Sequence, residues 1–98
     1  MSNTKQELLN MVLNTVKQLE DEDNTVDNFM EDVLSIESIC KDTQGNWKGA
    51  ELCWAYGGPG IYIDTQYNKV EGYWGSDSIT RTYDDNIGLD EFLEEIYG

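Results

Sequence analysis

Apolar residues near the start of the chain recur at helical spacing. Leu9, Val12, Leu13, Val16 and Leu19 fall on one face of a helix that ends before Glu20. Thr4 and Glu7 supply a T-x-x-E capping box at its start, in which each side chain can satisfy a free backbone N–H of the other residue. Glu20, Asp21, Glu22, Asp23 and Asn24 then form an acidic loop, and a mobile stretch is expected near residues 20–25. Val26, Phe29, Met30, Val33 and Leu34 restart the stripe and predict a second helix, capped by Asn24 or Thr25. Asp27, Glu31 and Asp32 fall off that stripe and should face water.

Further along the period changes. The pattern is weak from Ile36 to Lys48, apart from a turn at Asp42-Thr43-Gln44-Gly45-Asn46. Glu51 to Tyr56 alternates, with Leu52, Trp54 and Tyr56 on one face and Glu51, Cys53 and Ala55 on the other. Gly57-Gly58-Pro59-Gly60 reads as a reversal with Pro59 and Gly60 central in a type II turn. Ile61–Thr65, Val70–Trp74 and Ser78–Tyr83 follow as short strands, separated by turns at Tyr67-Asn68-Lys69 and Gly75-Ser76-Asp77. Leu89, Phe92, Leu93 and Ile96 mark a closing helix whose outer face carries Asp90, Glu91, Glu94 and Glu95. The expectation is a single acidic α+β domain over residues 1–98, with two N-terminal helices, a four-stranded antiparallel meander sheet and a C-terminal helix. The helices should cover the sheet face bearing Leu52, Trp54, Ile61, Ile63, Val70, Trp74 and Ile79. Glu51, Tyr62, Asp64, Glu71, Tyr73, Thr80 and Thr82 should line the opposite face.

Charge adds the strongest constraint. Twenty acids against six bases give a net charge of −14. Such a chain repels nucleic acid and anionic membranes, and its natural complement is a basic protein surface. With 39% hydrophobic residues it still has the material for a core, so it reads as folded. The first residues show no apolar run of signal-peptide or membrane-spanning length, which sets a cytoplasmic, reducing compartment as the expectation, with Cys40 and Cys53 as free thiols.

Catalytic chemistry finds few supports. Histidine is absent, so neither cysteine has the base that activates most thiol nucleophiles. The Gly57–Gly60 loop has no following Lys-Ser/Thr and no helix start, which rules out a phosphate loop. Asp21, Asp23, Asp27 and Asp32 match positions one, three, seven and twelve of a calcium loop. Val26 stands where that loop needs glycine, and Asp32 where it needs a bidentate glutamate, so no metal site is expected. The reading is a binding protein with no cofactor.

The acids fall in two blocks without a base. Glu20, Asp21, Glu22, Asp23, Asp27, Glu31 and Asp32 form the first; Asp84, Asp85, Asp90, Glu91, Glu94 and Glu95 form the second. Carboxylates at i, i+4 on a helix lie about 5–6 Å apart, close to the spacing of phosphates along a nucleic-acid strand. Tyr62 and Tyr73, set among Asp64, Glu51 and Glu71, suit arginine, which can stack on the ring and pair with the acid.

The stretches Trp54–Thr65, Val70–Gly75 and Leu89–Tyr97 resemble small proteins of phages, plasmids and other mobile elements. In size, charge and architecture the whole chain is similar to anti-CRISPR and antirestriction proteins, several of which mimic nucleic acid. These families share no motif with it, so no functional residue is carried over. The resemblance implies an inhibitor that occupies the basic nucleic-acid channel of a CRISPR effector nuclease and excludes DNA, where Arg and Lys normally hold the heteroduplex and the protospacer-adjacent motif. The alternative is an immunity protein or antitoxin that neutralises a basic toxin enzyme. The candidate partner-binding residues are the two acidic blocks, and then Tyr62, Asp64, Glu71 and Tyr73.

Overall fold

Helix α1 spans Thr4–Glu20 in the computed structural model, which describes residues 3–98. Asn3 takes the N-cap position, with no side-chain cap bond, and its carbonyl accepts from the Glu7 N–H, so Thr4 lies inside the first turn and not at the cap the expected box requires. The buried face is Leu8, Val12, Thr15, Val16 and Leu19. Leu13, expected in the core, is 44% exposed, and Thr15 takes a core place because its hydroxyl donates to the Met11 carbonyl at 3.0 Å and needs no other partner. Helix α2 covers only Val26–Glu31, capped by the Thr25 hydroxyl, which accepts from the Asn28 N–H at 3.1 Å. The apolar stripe continues past the end of this helix. Val33 and Leu34 leave the helix, and the Leu34 N–H donates to the Cys53 carbonyl, docking the segment onto the sheet.

The sheet has five strands, not four: β1 Ser35–Lys41, β2 Trp47–Ala55, β3 Gly60–Asp64, β4 Lys69–Trp74 and β5 Asp77–Thr82, all antiparallel in the order β1-β2-β3-β4-β5. Strand β1 has no clean alternation because its register with β2 shifts between Ile36 and Ser38. The shift puts Ile36 opposite Leu52 and Ile39 opposite Ala50, so two isoleucines three residues apart share one face. A second shift in β2, between Cys53 and Ala55, follows the same rule: Ala55 pairs with Ile61 and joins the core face, where strict alternation would group it with Cys53. The reversal after β2 also differs from expectation. Positive φ falls on Gly57 (116°) and not on Gly60, which already belongs to β3, so this is not a type II turn centred on Pro59-Gly60.

Helix α3, Leu89–Tyr97, lies against β2, while α1 lies across β4 and β5. Both rest on the sheet face that carries Ala50, Leu52, Ile61, Ile63, Val70 and Ile79, all buried. Trp54 and Trp74 pack at its margin, and Phe29 of α2 stacks on Trp54 with ring centroids 4.5 Å apart. Among the described residues, the other sheet face carries no helix. Among the described residues, no helix is long and apolar enough to cross a membrane.

Candidate binding face

The helix-free face is ordered by register. One row crosses all five strands through Ser35, Cys53, Tyr62, Glu71 and Thr80. The next runs through Ser38, Glu51, Asp64, Lys69 and Thr82, and a third holds Gly60, Tyr73 and Ser78. Glu51, Tyr62, Asp64, Glu71, Tyr73, Thr80 and Thr82 all lie on it, as expected, while Ala55 does not. Strand β1 adds Glu37, whose carboxylate accepts from the Ser35 hydroxyl at 3.2 Å. No sequence signal points to Glu37, because the weak pattern from Ile36 to Lys48 hides the strand that carries it.

Four carboxylates, Glu37, Glu51, Asp64 and Glu71, thus gather around two tyrosines, with Lys69 the one base in these rows. Tyr62 and Tyr73 meet edge to face with centroids 6.1 Å apart. The Tyr73 hydroxyl donates to Glu71 Oε2 at 2.8 Å, which fixes that carboxylate and pushes the phenol's own pKa up. Partial burial raises the Glu51 pKa above the usual carboxylate value, and Glu71, Asp64 and Glu37 add to the effect against a small opposing pull from Lys69. Burial and the nearby Glu37 likewise raise the Cys53 thiol, which keeps it protonated. Both cysteines are free, Cys53 buried and Cys40 exposed. Asp64 also shapes the backbone, since its Oδ1 accepts the Gln66 and Tyr67 N–H groups at 2.8 and 3.2 Å and closes the β3–β4 turn.

The two acidic blocks meet in part. Glu20 Oε2 accepts the Asp84 N–H at 2.8 Å, and the Asn86 amide donates to the Glu20 carbonyl at 2.9 Å, joining the end of α1 to the loop before α3. Several block members are committed to the fold. Asp21 Oδ1 accepts the Asp23 N–H, and Asp85 caps α3 by accepting from the N–H groups of Leu89 and Asp90 at 2.8 and 3.0 Å. Asp90, expected on the outer face of α3, turns inward. Its Oδ1 accepts from Trp47 Nε1 at 2.9 Å and from the Thr65 hydroxyl at 2.8 Å. Glu22, Asp23, Asp27, Glu31, Asp32, Asp84, Glu91, Glu94 and Glu95 remain exposed. No group of three or more Cys, Asp or Glu among the described residues is arranged to hold a metal ion.

No family model, curated protein or solved structure matches the chain.

Partial burial, with the crowding of carboxylates added to it, gives Glu51 a pH signature. For Glu51 the folded pKa lies above the unfolded one, so the folded state holds its proton longer. Its contribution therefore turns unfavourable as pH rises through the usual carboxylate pKa of 4.5, and is fully unfavourable above the raised folded value. Glu51→Gln should raise the midpoint of thermal unfolding at pH 7 and leave it unchanged at about pH 3, where both forms are neutral. Melting curves of both proteins across that range check it.

Proposed function

We propose that this chain is an inhibitor that binds the positively charged nucleic-acid-binding surface of another protein, a CRISPR effector nuclease foremost, and keeps DNA from it. The observation that carries the reading is the helix-free face, where the carboxylates of Glu37, Asp64 and Glu71 and the rings of Tyr62 and Tyr73 gather around Glu51. An arginine arriving there stacks on Tyr62 or Tyr73, pairs with Glu51 or Glu71, and relieves a repulsion that the free protein carries. The net charge of −14 extends the attraction beyond contact range and speeds encounter with a basic partner. The exposed acids at the Glu20–Asp84 junction and along α3 enlarge that field and stand second as contacts.

The test is DNA binding and cleavage by purified guide-loaded effectors in the presence of the protein, read at low and at physiological salt. Inhibition that weakens as salt rises is the expected result. Glu51→Lys with Glu71→Lys should weaken it by about 100-fold or more, as expected when close charge pairs at an interface are reversed. Glu94→Lys with Glu95→Lys on α3 should cost less than about 5-fold, in line with exposed pairs. Full inhibition by the Glu51/Glu71 double variant would remove this face from the mechanism. Binding to a basic toxin enzyme, with no effector bound at low salt, would move the reading to an immunity protein.

A further inference from the structure

The two edges of the sheet are built differently. Strand β1 is broken by register shifts at Ile36/Ser38 and Cys40/Lys41, and such irregularities keep an edge from pairing with another chain. Strand β5 runs Asp77–Thr82 in unbroken register with β4 and has no bulge or proline. Beside its free edge lies an open groove of about 510 Å³, lined by Ser78, Ile79, Thr80 and Arg81 of β5 and by Lys5 and Leu9 of α1.

The backbone phase of this edge follows from the ladder. The Tyr83 N–H donates to the Asn68 carbonyl, so the hydrogen-bonded pairs with β4 are those of Arg81, Ile79 and Asp77. The N–H and C=O groups of Ser78, Thr80 and Thr82 therefore point outward. Within the chain, the Thr80 carbonyl is met by Arg81 Nη1 at 2.8 Å.

About Ile79 as a centre, the strand Asp77-Ser78-Ile79-Thr80-Arg81 is complementary to its own reverse. We propose that β5 pairs antiparallel with β5 of a second copy, on a two-fold axis through Ile79. Ser78 and Thr80 of the two chains then exchange backbone hydrogen bonds, and their hydroxyls face each other on the helix-free side. Ile79 meets its symmetry mate. Asp77 of each copy lies opposite Arg81 of the other, in the class of pair where side chains approach most closely. It also enters the groove that holds Lys5, so two of the six bases in this acidic chain find a carboxylate there. The axis is perpendicular to the sheet, so the helix-free faces of both copies point the same way and form one continuous acidic surface. The pairing stands independently of the inhibitor reading.

Sedimentation velocity over a concentration series, with circular dichroism on every variant, tests the pairing. The expected result is a reversible dimer that strengthens with salt, because two chains of charge −14 repel each other at low ionic strength. Thr80→Pro removes an outward N–H that β4 does not use, and should abolish the dimer while the monomer spectrum is kept. Asp77→Arg and Arg81→Asp should each weaken dimerisation at least about 10-fold, and the double swap should restore it to within about 3-fold. A protein that stays monomeric at high salt and concentration overturns the proposal. So does a dimer indifferent to both the proline and the charge swaps.

Discussion

Asp90→Ala should lower the stability of the fold by about 3 kcal/mol, the sum expected for two hydrogen bonds to a charged group. The carboxylate closes a relay: the Ala50 N–H donates to the Thr65 hydroxyl at 2.8 Å, that hydroxyl donates to Asp90 Oδ1, and Trp47 Nε1 donates to the same oxygen. Truncation leaves the indole N–H and the hydroxyl proton without their acceptor and unpins α3 from β2. For a domain of this size the loss corresponds to a fall of roughly 15 °C in the melting midpoint. Asp90→Asn keeps an amide oxygen that can accept both bonds and should cost only about 1 kcal/mol. Glu94→Ala, one turn along on the exposed side, should change stability by less than about 0.5 kcal/mol. Thermal or denaturant unfolding of the three variants checks the series. Equal effects for Asp90→Ala and Glu94→Ala would show that the relay does not hold the helix.

Asp90 also shows what a charge count conceals. In the sequence it is one of six acids between Asp84 and Glu95, and nothing in its spacing separates it from Glu94. What distinguishes it is Trp47, 43 positions away, and Thr65, 25 positions away, and such partners exist only after the sheet has formed. The same holds for Glu20 and Asp84, which meet across 64 positions. The helix-free face is legible for the opposite reason. Glu51, Tyr62, Asp64, Glu71 and Tyr73 lie on stretches of strand clear of the register shifts, where a period of two fixes the face without knowledge of the partners.

The fold divides along the same line. Strands β3, β4 and β5 keep regular registers, and their alternation can be read directly. Strand β1 cannot, because a register shift puts Ile36 and Ile39 on one face three residues apart, which breaks the period of two that marks a strand. With β1 hidden, Glu37 cannot be placed in the site. Periodicity alone makes α2 too long, because Val33 and Leu34 continue the apolar stripe by chance of spacing. Their backbone instead turns to the edge of β2, where the Cys53 carbonyl offers the Leu34 N–H a partner.

Gly72→Val should be the most disruptive single substitution on the sheet, costing about 4 kcal/mol through overpacking beyond the usual range. Gly72 is buried in β4 directly beneath α1. A Cβ there would stand 2.6 Å from Val12 Cγ2, 2.9 Å from Leu8 Cδ1 and 3.2 Å from Ile61 Cδ1. All three neighbours are fully buried, so none can swing aside into solvent. Glycine in a strand interior weakens the strand, and here it does so to let helix and sheet touch. Gly72→Ala should cost about 2 kcal/mol, and Val12→Ala should offset part of that loss, giving a non-additive double-mutant cycle. The two residues flanking Gly72 are Glu71 and Tyr73, which point to the helix-free face. Lifting β4 away from α1 therefore also shifts the carboxylate–tyrosine pair on the other side. On the inhibitor function proposed above, Gly72→Ala should reduce inhibition of the effector more than a core truncation of equal cost on α3, such as Leu93→Val. Equal inhibition by the two variants at matched stability would show that the face tolerates movement of β4, and would favour the exposed acids outside the sheet as the contacts.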